Sequence, residues 1–210
     1  MTDVGARSAP TRRREQTRSR LLDAAHDVFG DVGMDAASVE LICERAGFTR
    51  GAFYSNFASK EELFLALITQ LSEAKLAEVA DRVRGLDRET LSDLSGAVRH
   101  VVGASLGQQM EPQLISEMRT QALRDPRLAG AYLAWRDAMS GGVEAIIAHV
   151  VDAYDLRLRL PLGETARLLV EVSEDTCTRA TLEGCTPAEI TERLNERIDR
   201  IVAVLVDPAR

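Results

Sequence analysis

The chain is short of aromatics, cysteines and long apolar runs. Only nine of its 210 residues are Phe, Tyr or Trp. Its three cysteines, Cys43, Cys177 and Cys185, are odd in number and lack metal-ligand spacing, so free thiols in a reducing cytosol are expected, and no metal site. No apolar run reaches the ~18–20 residues needed to span a bilayer, so no membrane partner is expected. The N-terminal stretch MTDVGARSAPTRRREQTRSR is basic and polar and lacks the apolar core of a secretory signal. The three histidines, His26, His100 and His149, lie far apart, and the chain holds no HxxxH, no G-x-S-x-G and no P-loop. Neither catalysis nor a cofactor is therefore expected.

What is present is a chain that is 45% hydrophobic, enough for one or two domains with real cores. Its net charge of −7 is unevenly placed. Residues 1–60 carry nine basic and eight acidic side chains, whereas residues 61–210 carry 17 and 25. A near-neutral head with an Arg-rich start, on an acidic body, can hide a nucleic-acid site from the overall charge. The same arginines also read as a solvated tail.

Almost every periodic segment reads as helix, which makes the expected fold class all-α. Leu21, Leu22, Ala25, Val28 and Phe29 share one helical face, and Gly30 and Gly33 are expected to end that helix. Val39, Ile42, Cys43 and Ala46 form a second short stripe, with Ser38 as N-cap and Gly47 as the residue after the C-cap. A third helix is expected from Thr49 to Phe57. Ser59 and Glu62 form a capping box that opens a long helix over about 60–83. Further helices are expected near 89–107, 112–124, 126–154, 164–183 and 187–206. Asp125-Pro126 and Thr186-Pro187 mark sharp starts, and Thr186 with Glu189 makes another capping box. Gly141-Gly142 would kink or end the helix that contains it. A boundary near residue 58 separates two domains, 1–58 and 59–210.

Phe53, Tyr54 and Phe57, a third of all the aromatics, fall within five residues. Two short helices joined by a glycine turn make a helix-turn-helix. Phe53 and Phe57 are four apart and, with Phe48, can build a small core against the first helix. Gly51, Ala52 and Ser55 lie away from that face, where small side chains allow close approach of another surface. A glycine there costs up to ~1 kcal/mol against alanine, so folding alone does not favour it. Arg50 can reach a base edge, and its fork suits guanine O6 and N7. Thr49, Tyr54, Ser55 and Asn56 carry groups suited to phosphate oxygens, and Lys60 adds a cation. The set fits a recognition helix in the major groove.

These residues resemble the TetR family of one-component transcriptional repressors over residues 12–64. The resemblance runs through Ser38, Ile42-Cys43, Ala46-Gly47, Phe48, Thr49, Arg50-Gly51, Ala52-Phe53, Tyr54, Ser55-Asn56-Phe57, Ala58-Ser59-Lys60 and Leu63. Cys43 stands where the family has a small core alanine, and Asn56 where it has a histidine. The resemblance implies that Arg50, Gly51 and Ala52 face bases while Ser38, Thr49, Tyr54, Asn56 and Lys60 hold the backbone. It implies that Arg12, Arg13 and Arg14 form a basic arm at the minor groove, with Arg18 a further candidate for phosphate.

For residues 59–210 the resemblance implies a helical domain that pairs two chains and holds a partly apolar small molecule. The expected homodimer face is Leu168, Val172, Thr176, Ile190, Leu194, Ile198, Ile201 and Leu205, two helices per chain meeting across a two-fold axis. Met110, Met118, Tyr132, Trp135 and Met139, with His100 before them, are candidates for the ligand site; they also read as plain core. Glu174 and Asp175 would meet a cationic ligand or pair with Arg179 across the dimer. The expected function is a cytoplasmic, sequence-specific regulator that binds a palindromic double-stranded DNA operator and is released by its ligand. The alternative is a helical adaptor that binds a protein partner through its C-terminal helices.

Overall fold

A computed structural model describes residues 9–85 and 112–207. The helix expected near 89–107 lies outside the described residues, as do His100 and Met110. Among the described residues the chain forms eight helices, and its sole β-pairing is an isolated bridge between Leu158 and Val206. No described helix is long and apolar enough to cross a membrane. The chain divides into two compact units, Met1–Thr69 and Gln70–Arg210.

The first unit holds α1 (Ala9–Ala36), α2 (Val39–Ala46), α3 (Arg50–Tyr54) and the start of α4 (Lys60–Arg84), inside which the division falls. The apolar stripe of α1 is buried as its spacing requires, from Leu21 to Phe29. Gly30 does not end α1. The helical run is interrupted at Gly33, where φ is 76°, and then continues to Ala36. Arg12, Arg13 and Arg14 belong to α1 and not to an extended arm. Arg, Glu and Gln are good helix formers, so the charged run that reads as a tail is equally able to extend the helix.

Local signals fix α2 and α3. Ser38 Oγ accepts from the Leu41 amide at 3.1 Å. Gly47 is left-handed at φ 70°, and the amides of Gly47 and Phe48 donate back to the Glu44 and Cys43 carbonyls, a Schellman closure. Thr49 caps α3 by accepting from the Ala52 amide. Helix α3 stops at Tyr54, short of the expected Phe57. Phe53 and Phe57 are nonetheless 0% and 1% exposed, with ring centroids 5.9 Å apart. Phe48 does not join that core. It is half-buried under the Arg20 guanidinium, 4.7 Å from the ring centroid, while Arg20 also donates to the Ala46 carbonyl at the end of α2. Ser59 accepts from the Glu62 amide, but Glu62 reaches the Ala58 amide and not Ser59, so the expected box is closed one residue early.

The second unit contains the rest of α4 and four more helices: α5 (Pro112–Ala122), α6 (Pro126–Tyr154), α7 (Leu162–Leu182) and α8 (Pro187–Leu205). Helix α6 packs on α7, α7 on α8, and α5 on both α6 and α7. Asp125 caps α6, and Thr186 with Glu189 forms the complete capping box of α8. Gly141 and Gly142 neither end α6 nor interrupt it. A Cβ added at Gly142 would lie 2.4 Å from Leu76 Cδ1, so this glycine makes room for the Leu76 side chain.

Candidate nucleic-acid interface

Helix α3 is too short to stand alone, and α1 fastens it in place. Arg14 donates to the Ser55 carbonyl, Arg18 donates to the Asn56 carbonyl and stacks over the Phe57 ring, and Arg20 closes α2. With Phe53 inside, Arg50, Gly51 and Tyr54 of α3 face water. The Arg50 side chain is 60% exposed, Tyr54 is 50% exposed, and Ser38, Thr49, Gly51 and Ser55 are also exposed. A Cβ at Gly51 would meet only Thr49 Oγ1, at 3.7 Å, so the fold has room for a larger residue there. Ala52 is half-buried on the flank of the same surface.

Arg50 is held ready by two neighbours. Its Nη1 pairs with Glu40 Oε1 of α2 at 2.7 Å, and its guanidinium lies 5.8 Å from the Tyr54 ring centroid. Sequence reading missed Glu40, because a pair across a helix-turn-helix leaves no periodic signature. Ser55 Oγ donates to the Gly51 carbonyl, leaving its lone pairs outward. Asn56 is turned the other way: its Nδ2 donates to the Ala52 carbonyl and its Oδ1 is buried without a partner. Its amide is therefore not aimed outward with the rest. Cys43 is buried beneath this face, and burial pushes its thiol up, with Glu40 adding to the rise and Arg50 opposing it.

Lys60 is likewise engaged inside the unit. Its Nζ donates to the Met34 and Ala37 carbonyls at 2.6 and 2.8 Å, closing the corner between α1 and α2. Lys60→Ala leaves two carbonyls without their charged donor, so unfolding stability should fall by about 1.5–3 kcal/mol. Denaturant melts of the full chain check this. A residue that only touched phosphate would change the salt dependence of DNA binding and leave the melt alone. Arg12 and Arg13, on the exposed first turns of α1, are the cations of the expected arm that retain free approach to solvent.

The other expected sites lie in the second unit. Met118, Tyr132, Trp135 and Met139 are each buried. Tyr132 stacks on Trp135 at 5.7 Å, and Trp135 Nε1 donates to Ser72 Oγ. Beside them Arg119 donates to Tyr132 Oη and to Glu174, and Arg136 also reaches Glu174. Glu174 is 7% exposed, and burial pushes its carboxyl up against the opposing pull of Arg136 and Arg119. Within the chain, Arg179 pairs with Glu183. Leu194, Ile198 and Leu205 of the expected dimer face are buried within the chain itself, where Leu194 and Ile198 pack with Cys177 against Leu169, Val172 and Ile190. Burial there holds the Cys177 thiol up at about 11. Leu168, Val172, Thr176, Ile190 and Ile201 keep partial exposure and remain available to a second chain.

Residues 21–67 match the family model of the bacterial regulatory proteins, tetR family. Over 115 residues the chain is 29% identical to the HTH-type transcriptional regulator UidR of Escherichia coli (strain K12), covering 55% of this chain and 56% of UidR. The chain thus spans about half the length of these first relatives. It is 26% identical over 198 residues to the HTH-type transcriptional repressor AcnR of Corynebacterium glutamicum, covering 94% of this chain and 95% of AcnR. Its fold is similar to that of Salmonella enterica GusR, with a TM-score of 0.67 at 20% identity over 90% of this chain and 95% of GusR.

Proposed function

We propose that this chain, a member of the TetR family, is a cytoplasmic transcriptional regulator that reads duplex DNA with the outer surface of α3. The observation that carries this reading is the division of labour within six residues. Phe53 is fully buried, while Arg50, Gly51 and the adjoining Ser55 face solvent with no fold requirement for the glycine. Arg50 has the fork for a guanine edge, Thr49, Tyr54 and Ser55 have hydroxyls for phosphate, and the small residues between them let the helix lie close in the groove.

A single face of this size makes few contacts. Pairing of two chains through the part-exposed residues of α7 and α8 sets two such faces about 34–36 Å apart, which requires an inverted-repeat operator. A small molecule held by the second unit favours dimers of a different spacing and depletes the DNA-competent state, the behaviour of a ligand-released repressor. Helix α4 belongs to both units and is the element that would carry the change.

Selection of bound duplexes from a random pool tests the proposal. The enriched sequence should be an inverted repeat with half-site centres about one helical turn, or a multiple of it, apart. Failure to retard any duplex at low salt would overturn the proposal and favour a helical adaptor for a protein partner.

A further inference from the structure

Helices α4 and α6 enclose a cavity of about 440 Å³ that opens to solvent, within the size range of small-molecule sites. Met118, Tyr132, Trp135 and Met139 are not among its lining residues. Its walls come from Leu76 and Ala80 on α4 and from Ala145 and Ile146 on α6, with Arg84 and His149 as the polar members of its lining. The space has a local cause. Leu76 sits directly over Gly142, and the alanines that follow are too small to fill the gap that opens beyond.

The two helices run in the same direction along this cavity. Leu76 touches Gly142 at one end, and Val79 and Val83 pack with Ile146 and Val150 further along. Arg84 and His149 therefore stand together at the far end, eight residues beyond Leu76 and seven beyond Gly142. Eight residues of helix span about 12 Å. The cavity is thus an apolar trough with nitrogen donors at one end.

Among the described residues no carboxylate lines it. Glu78 is paired with Lys75 and Arg82, and Glu144 lies against Gly163. Arg84 is paired through Nη2 with Asp81, but both side chains are largely exposed. Such surface pairs contribute little, and the remaining guanidinium donors are free to take a second acceptor.

We propose that this cavity binds a small carboxylic acid with an apolar body. Its carboxylate lies between Arg84 and His149, and its chain runs toward Leu76. The proposal names the chemical class of the effector and so rests on the ligand-release reading, but binding can be measured without DNA. The probes are decanoate below its micelle concentration and decanol below its solubility limit, titrated calorimetrically into the full-length chain. Decanoate should bind at least about tenfold more tightly than decanol, one charged hydrogen bond's worth. Arg84→Gln, at an exposed position, should abolish that difference and leave decanol binding unchanged. Ala80→Leu and Ala145→Leu should each weaken both probes about tenfold or more by filling the trough.

Equal affinity for acid and alcohol, or binding indifferent to all three variants, overturns the proposal. So does the absence of decanoate binding, and this last result leaves operator release open to another effector. Decanoate binding with the expected variant pattern but no loss of operator affinity upholds the cavity and overturns release.

Discussion

Phe53→Ala is expected to cost the N-terminal unit about 3–5 kcal/mol. Phe53 is 0% exposed, is four residues from Phe57 and meets Tyr54 edge-on at 5.3 Å. A domain of ordinary stability holds about 5–15 kcal/mol in all, so this loss removes much of its margin. Because the division of the chain falls after Thr69, the effect should be confined to one side of it. Hydrogen exchange on the full-length chain should show protection collapsing in α1 to α3 and persisting in α6 to α8. DNA binding should vanish with it, and Phe53→Leu should restore most of both, since it leaves a much smaller cavity. Uniform loss of protection along the whole chain, or no loss at all, would contradict the assignment of Phe53 as the keystone of this unit alone.

Arg50→Ala should have the second large effect, of a different kind. The side chain is exposed and its ion pair with Glu40 is on the surface, so the melt should move by less than about 1 kcal/mol. On DNA the loss should be about 1–3 kcal/mol, concentrated on one base pair per half-site. Glu40 sharpens the test. In the free protein it pairs with Arg50; without Arg50 it stands as a carboxylate on the surface proposed to meet phosphates. Glu40→Gln added to Arg50→Ala should therefore recover affinity for all sequences alike while leaving the base preference lost. A double-mutant cycle separates the two terms. If Arg50→Ala shifts neither affinity nor preference, α3 is not reading bases through this residue.

The features legible in the sequence were those whose cause is local. Ser38, Gly47, Thr49, Asp125 and Thr186 act on backbone groups within a few positions of themselves, so their types announce the helix ends they make. The buried stripe of α1 and the pair Phe53 and Phe57 follow from spacing alone. Lys60 was not legible in this way. The carbonyls it serves are 26 and 23 residues distant, and a lysine at a helix start near a DNA face looks like a phosphate ligand. Asn56 was obscured similarly, since an amide side chain does not say which way it turns. The arginines at 12–14 carry one signal for charge and another for helix, and composition cannot rank the two. The α4–α6 cavity escaped because alanine and glycine leave space by lacking atoms, whereas the aromatic and methionine cluster drew attention by having many.

The brevity of α3 has a consequence for how such a protein can change. Of its five residues Phe53 is committed inward, and Thr49 just before it caps the helix. Arg50 and Gly51, with Ser55 immediately after the helix, carry no core packing. If α3 reads DNA as proposed, a new address can be written at these three positions with little disturbance to the scaffold, so that target choice and folding would be free to vary separately.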